Sequence, residues 1–350
     1  MKKLFTILAV AATLVSCAKE DVVREAAREA IGFDNAFVDN ATRSVFDPSY
    51  TNTETGIFTD FQVYGYVEGQ PLFNEENIGV TVYKEGSVPE GVNYNGQAST
   101  NWKYNGTQYW IPSATYNFSA VAPATGWTKV DATAAGTTLS FTNDGMHDIL
   151  YAQSKTITAE ASDNGPVGFT FRHLLSKVKF SFLNNYNADN TTIQVRGIKV
   201  NNAFTTGNVA LTATTTTWSG WATNLVLEFG AATEDNATTN VPVVFENGET
   251  LESYNELLLI PYNYDGTTND DGTTNKLAVE FTYDILVGGE VVAEFKVEPK
   301  VVVNLEPGHA YDFKATITPG EPIEFTVLDI TDWDSDLDNN GTNGDETPIQ

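Results

Sequence analysis

The residues of this chain that could do covalent chemistry are few and far apart. The only cysteine, Cys17, closes an apolar run from Leu4 to Val15 that follows Met1-Lys2-Lys3, with the small Ser16 just before it. A basic start, an apolar stretch and a small-residue junction have the form of a secretory signal, and the run is too short for a spanning helix. His147, His173 and His309 are scattered, with no H-E-x-x-H or similar metal spacing. Neither a G-x-S-x-G elbow nor a phosphate-cradling glycine loop occurs. Acidic residues are so numerous that no glycosidase-like pair stands out. The expectation is a non-enzyme without cofactor. Asp336-Leu337-Asp338-Asn339-Asn340-Gly341 matches the first half of a calcium loop, but its twelfth position falls on Thr347. The stretch 334–350 therefore reads as an acidic flexible tail, with no metal site.

Two kinds of chemistry remain. Arg43, one of five arginines, lies in the polar, turn-rich stretch 40–56, NATRSVFDPSYTNTETG. A basic residue in an exposed loop is where a trypsin-like protease cuts, although an ordinary surface arginine fits equally well. Trp102, Trp110 and Trp127 could stack on sugars, and core packing at strand ends explains them too. Sequons such as Asn40-Ala41-Thr42 follow from the Asn- and Thr-rich composition.

The elements that must carry these residues are strands. Aromatics make up 12% of the chain, enough for packed cores, and Gly, Thr and Asn are abundant. Leu277, Val279, Phe281, Tyr283 and Ile285 alternate with polar neighbours, and Val291, Ala293, Phe295 and Val297 face them across Gly288-Gly289. Tyr116, Phe118 and Ala120 share a face, as do Val167, Phe169 and Phe171, then Val178, Phe180 and Phe182. Trp102-Lys103-Tyr104 and Gln108-Tyr109-Trp110 flank Asn105-Gly106, which predicts a hairpin. Only residues 18–30 have helical spacing, ahead of the period-two segment at Ile31 and Phe33. The pattern predicts half-buried antiparallel sheets in two β-sandwiches, 44–176 and 177–333, after a 1–17 signal and an 18–43 leader. The net charge of −27 argues against nucleic acid, whose affinity comes from neutralising phosphates.

Leu14-Val15-Ser16-Cys17 resembles the lipobox of bacterial lipoproteins, which implies that Cys17 is acylated, with chains such as palmitate, and becomes the mature N-terminus. Ala18 is not the aspartate that retains such proteins at the inner membrane. Lys19-Glu20-Asp21 resembles a surface-export signal of Bacteroidetes lipoproteins. More of the chain is similar to the fimbrillins, the type V pilins of Bacteroidia. The matching segments are I-G-F…F…N-A-T-R-S at 31–44, F-x-V-Y-G-Y at 61–66, Y-N-F-S-A-V-A-P at 116–123, D-I-L-Y-A at 148–152 and F-T-F-R-H-L-L-S-K-V-K-F at 169–180. L-L-L-I-P at 257–261, P-G-H-A-Y-D-F at 307–313 and I-x-D-W at 330–333 complete the order.

The resemblance implies two transthyretin-like sandwiches, export as an outer-membrane lipoprotein, and cleavage between Arg43 and Ser44. The strand Ile31–Phe37, carrying Ile31, Phe33 and Phe37, would leave. A strand of another subunit would fill its place, with Ile323, Phe325 and Val327 on the candidate donor Ile323–Ile330. The partners would be other fimbrial subunits, the outer membrane through lipid, and a ligand on host or bacterial surfaces; the mature site would be a cell-surface fimbrium. A surface glycan-binding lipoprotein and a non-cleaved anchor or tip subunit are the alternatives.

Overall fold

The computed structural model describes residues 29–38, 59–73, 79–87, 102–212, 216–222, 225–229, 243–253, 256–268 and 273–330. Among them every named element is a strand. The first stretch holds β1 (Phe33–Val38), β2 (Asp60–Val67), β3 (Gln70–Pro71), β4 (Gly79–Lys84), β5 (Trp102–Tyr104), β6 (Thr115–Ala122), β7 (Trp127–Thr133), β8 (Gly136–Thr142), β9 (Leu150–Thr158) and β10 (Val167–His173). The second holds β11 (Ser176–Asn184), β12 (Thr191–Ala203), β13 (Thr206–Thr212), β14 (Thr216–Ala222), β15 (Leu225–Phe229), β16 (Val243–Phe245), β17 (Thr250–Glu252) and β18 (Leu257–Leu259). It continues through β19 (Asn263–Tyr264), β20 (Leu277–Val287), β21 (Glu290–Val297), β22 (Lys300–Val301), β23 (Val303–Asn304), β24 (Ala310–Ile317) and β25 (Phe325–Ile330).

The first sheet has eight strands in the order β1-β10-β9-β6-β2-β4-β5, with β3 on β2. Its apolar positions alternate as the sequence requires, so Phe61, Val63, Tyr116, Phe118, Phe169 and Phe171 all turn into one core. The two ends of this sheet meet. Residues past β5 pair with the segment just before β1, through Ile31 N to Gln108 O at 2.8 Å, Trp110 N to Glu29 O at 2.9 Å and an Ala30–Tyr109 bridge. These bonds satisfy main-chain groups that the segment before β1 would otherwise leave open.

This pairing corrects two expectations. Gly106 makes a turn at φ +81°, but Gln108-Tyr109-Trp110 does not fold back on Trp102–Tyr104. It pairs instead with residues 29–31, where Trp110 becomes 5% exposed against Tyr116, 4.7 Å between rings. Burying an indole there outweighs a local hairpin. Glu29 and Ala30, at the end of the helical spacing, are extended and paired. Residues 18–28 lie outside the described residues.

The second core lies between a five-stranded sheet, β17-β11-β24-β25 with β18 on β11, and a six-stranded sheet, β15-β12-β20-β21 with β16 and β22 attached. Phe180, Phe182, Phe229, Phe281 and Phe313 fill it. A pair of short strands, β19-β23, completes this part. Among the described residues the strand pairings are antiparallel except β1 with β10 and β11 with β24. Each parallel pair joins strands distant in sequence, which is what a crossover permits and a hairpin cannot.

One sheet crosses between the stretches. It runs β14-β13-β8-β7, so residues on either side of 176/177 contribute two strands each. Beneath it Leu139 and Phe141 join Tyr64, Tyr66, Val121 and Tyr151 of the first sheet's outer face in the same apolar cluster as the second core. The strand β11 departs from half-burial. Lys177, Lys179 and Ser181, which alternation assigns to water, are buried, and Ser181 Oγ donates to Asp312 Oδ1 at 2.8 Å. Buried polar groups require such partners.

Candidate assembly site

The N-terminal strand and the cradle around it form the most distinctive site among the described residues. Ile31 and Phe33 are both 0% exposed. Phe33 meets Tyr104 at 5.3 Å, Phe118 at 6.0 Å and Phe169 at 6.0 Å between ring centroids. The backbone of β1 runs parallel to β10, with Phe33 opposite Val167 and Phe37 opposite Thr170, and the register shifts between Asp34 and Phe37. Val167 N donates to Gly32 O at 2.8 Å. The segment thus bonds β10 on one side and residues 108–110 on the other.

Polar groups fasten its start. Tyr104 Oη donates to Ile31 O at 2.8 Å and accepts from Gln108 N at 3.1 Å. Glu29 accepts from Asn164 N, Asn164 Nδ2 and Gly165 N at 3.0, 2.8 and 3.1 Å. These bonds, Asn164's first, hold the Glu29 carboxyl below the usual carboxylate range, because each favours the ionised form. Asp163 and Gly165 take φ of +62° and +67°, the turn that aims the Asn164 and Gly165 amides at Glu29. Sequence reasoning missed Glu29, Tyr104, Gln108 and Asn164. The turn-forming Asp163-Asn164-Gly165 is a signal that could have pointed to Asn164.

Of the expected site residues, Ile31 and Phe33 come together in this cradle. Ile323, Phe325 and Val327 lie elsewhere: β25 pairs with β24, and Val327 is 2% exposed. Phe325 packs on the second core, 5.6 Å from Phe180 and 6.2 Å from Phe313. Cys17, Arg43, Ser44 and the tail 334–350 lie outside the described residues. Trp102 and Trp110 are buried, at 7% and 5% exposed, and half-buried Trp127 donates its Nε1–H to Pro123 O, so these rings serve the fold.

The histidines are paired with carboxylates. His173 Nδ1 lies 2.5 Å from Asp148 Oδ2 in a buried contact, and His147 pairs with exposed Asp144. Burial pushes the Asp144 carboxyl up, but hydrogen bonds from His147 and Met146 outweigh it and hold it below its ordinary value. Among the described residues no group of three or more His, Cys, Asp or Glu is arranged to hold a metal.

Fold and site together define an all-β protein in which a segment from near the N-terminus is buried against the first sheet. The chain belongs to the fimbrillin-like family, whose profile matches residues 59–333. Its fold is similar to that of a fimbrial protein from Bacteroides vulgatus, with a TM-score of 0.58 and 18% identity over 87% of this chain and 99% of that one. A weaker likeness, TM-score 0.32 and 10% identity over 86% of this chain and 97% of the other, is to the fimbrial anchor protein Mfa2 from Porphyromonas gingivalis. Among curated proteins none matches. Family membership makes this a cell-surface protein of the fimbrial adhesion type that assembles with other fimbrial subunits.

Proposed function

We propose that the chain is a structural fimbrial subunit, delivered to the outer membrane as a lipoprotein through Cys17, activated by cleavage between Arg43 and Ser44, and polymerised by strand complementation. The observation that carries this reading is the complete burial of Ile31 and Phe33 on a segment that pairs with β10 at the edge of the first sheet and lies upstream of Arg43. Cutting after Arg43 frees that segment from the downstream fold. Its departure exposes the rings of Tyr104, Phe118 and Phe169 and the edges of β10 and residues 108–110. Refilling such a groove returns about 1.5–3 kcal/mol for each large apolar side chain, before the ordering of the incoming strand is subtracted. An edge with vacant main-chain groups and a lined groove accepts a strand from another subunit. If Ile323–Ile330 is that donor, it must first leave β24 and withdraw Phe325 from its own core.

The test is an arginine-specific protease on purified wild type and Arg43→Ala. Wild type should lose its N-terminal segment and form ladders on a gel, while the variant stays a folded monomer. Equal polymerisation of the variant, or fibres whose subunits still begin at Cys17, would replace this reading with an uncut anchor.

A further inference from the structure

We infer that Trp221 and the rings behind it form a binding platform for uncharged polysaccharide. The inference rests on the surface-adhesion part of the reading above and not on cleavage at Arg43.

From Asn201 to Leu227 the chain has no Asp, Glu, Lys, Arg or His, although its net charge is −27. The β13–β14 hairpin lies within this stretch. Asn208 pairs with Ser219 and Thr206 with Ala222, so Gly220 and Trp221 together oppose Gly207, a bulge. Gly220 takes φ +61°, and a Cβ there would lie 3.0 Å from Asn208 Nδ2. Such bulges re-aim side chains. The result divides two nearby indoles. Trp218 is 7% exposed, seated where a Cβ on Gly207 would come within 2.9 Å of its ring. Trp221 is 38% exposed.

The exposed indole is held from behind. Tyr262 lies 5.1 Å from it and Phe204 6.1 Å, and Phe204 and Tyr262 are themselves 4.7 Å apart. Tyr264, 2% exposed, closes the cluster 4.9 Å from Tyr262. A large ring already fixed in place loses little freedom on binding. Its electron-rich face attracts the weakly positive C–H face of a sugar ring. The same hairpin carries hydroxyl and amide residues, Thr206, Asn208 and Ser219 among them. A ligand without charge meets no repulsion from the anionic chain and leaves no ion desolvated and unpaired. A polyanion is repelled, and a basic partner finds no carboxylate in this stretch.

The test is affinity electrophoresis of the full chain through native gels containing yeast mannan, laminarin or galactomannan, with chondroitin sulfate as the anionic comparison. Wild type should be retarded by at least one neutral polysaccharide and not by chondroitin sulfate. Trp221→Ala should weaken that retardation about tenfold or more, and Trp221→Phe, which keeps a ring against Tyr262 and Phe204, should restore part of it, with each variant still melting cooperatively as a folded protein. No retardation by any neutral polysaccharide, or equal retardation of Trp221→Ala, would overturn the assignment. So would loss of self-association in sedimentation as the only effect of Trp221→Ala, which would make the platform a contact with a second copy. Fibre assembly by Trp221→Ala is scored separately, so failure of the fimbrial reading is distinguishable from failure of this one.

Discussion

The Tyr104 hydroxyl donates a 2.8 Å hydrogen bond to the carbonyl oxygen of Ile31, joining residues 73 positions apart. The Tyr104 hydroxyl oxygen also accepts from Gln108 N, so one buried phenol latches the N-terminal segment and residues 108–110 that meet it. Burial is the larger influence on this hydroxyl and keeps it in the neutral, donating form.

Tyr104→Phe should therefore leave a carbonyl and an amide without their partner while changing packing little. The expected cost is about 1–3 kcal/mol in a urea unfolding experiment. The N-terminal segment should also exchange its amide hydrogens faster than in wild type. An unchanged midpoint and unchanged protection of Ile31 would show that the latch contributes nothing.

Phe33→Ala removes a ring packed against Tyr104, Phe118 and Phe169. A buried Phe→Ala change costs about 3–5 kcal/mol, and denaturant titration should give a value in that range. A loss under 1 kcal/mol (about a single methylene's worth) would mean the cradle collapses freely around the vacancy.

The Glu29 clamp predicts a dependence on pH. Its folded-state carboxyl sits below the ordinary value of 4.5, so the stability it contributes is fully present above that value and is lost as pH falls through the folded one. Glu29→Gln should be less stable than wild type at neutral pH, and the difference should shrink as the medium is acidified below 4.5. Urea midpoints of both proteins across this range check it; a difference that is constant with pH would refute the clamp.

Gly136 governs the seam between the two stretches. It lies opposite Thr212, and a Cβ on it would sit 2.5 Å from Leu211 O, a backbone atom that cannot swing aside. Gly136→Ala should push β8 off β13 and destabilise the protein by about 1–3 kcal/mol, as overpacking does. Calorimetry should then resolve separate melting of the two cores. A single transition at the wild-type temperature would show that the seam carries no coupling.

Cys17→Ala should abolish incorporation of a fatty-acid analogue and surface delivery, since Cys17 is the sole thiol. Equal labelling of variant and wild type would remove the lipid from the proposed function.

Much of the fold can be read from alternation alone. Leu277 to Ile285, Tyr116 to Ala120 and Val167 to Phe171 are strands with the anticipated faces buried, and Gly288-Gly289 is the turn between β20 and β21. The same patterns led to the buried Ile31 and Phe33. The clamp was not legible, because Glu29 looks like any surface glutamate until Asn164, 135 residues away, is brought beside it.

What the sequence by itself determined is which segments are strands, which face of most of them is apolar, and that the chain is anionic with a single thiol. Tertiary structure alone decided the neighbours. Main-chain hydrogen bonds are the same along every strand, so local pattern cannot say that Gln108–Trp110 joins residues 29–31, that β8 pairs with β13, or that β1 lies parallel to β10. Those choices follow from volume and satisfaction: Trp110 fits beside Tyr116, and Ile31 and Phe33 fill the first core. Lys179 and Ser181, polar by type, are buried because β11 is covered on both faces, which no alternation within β11 records.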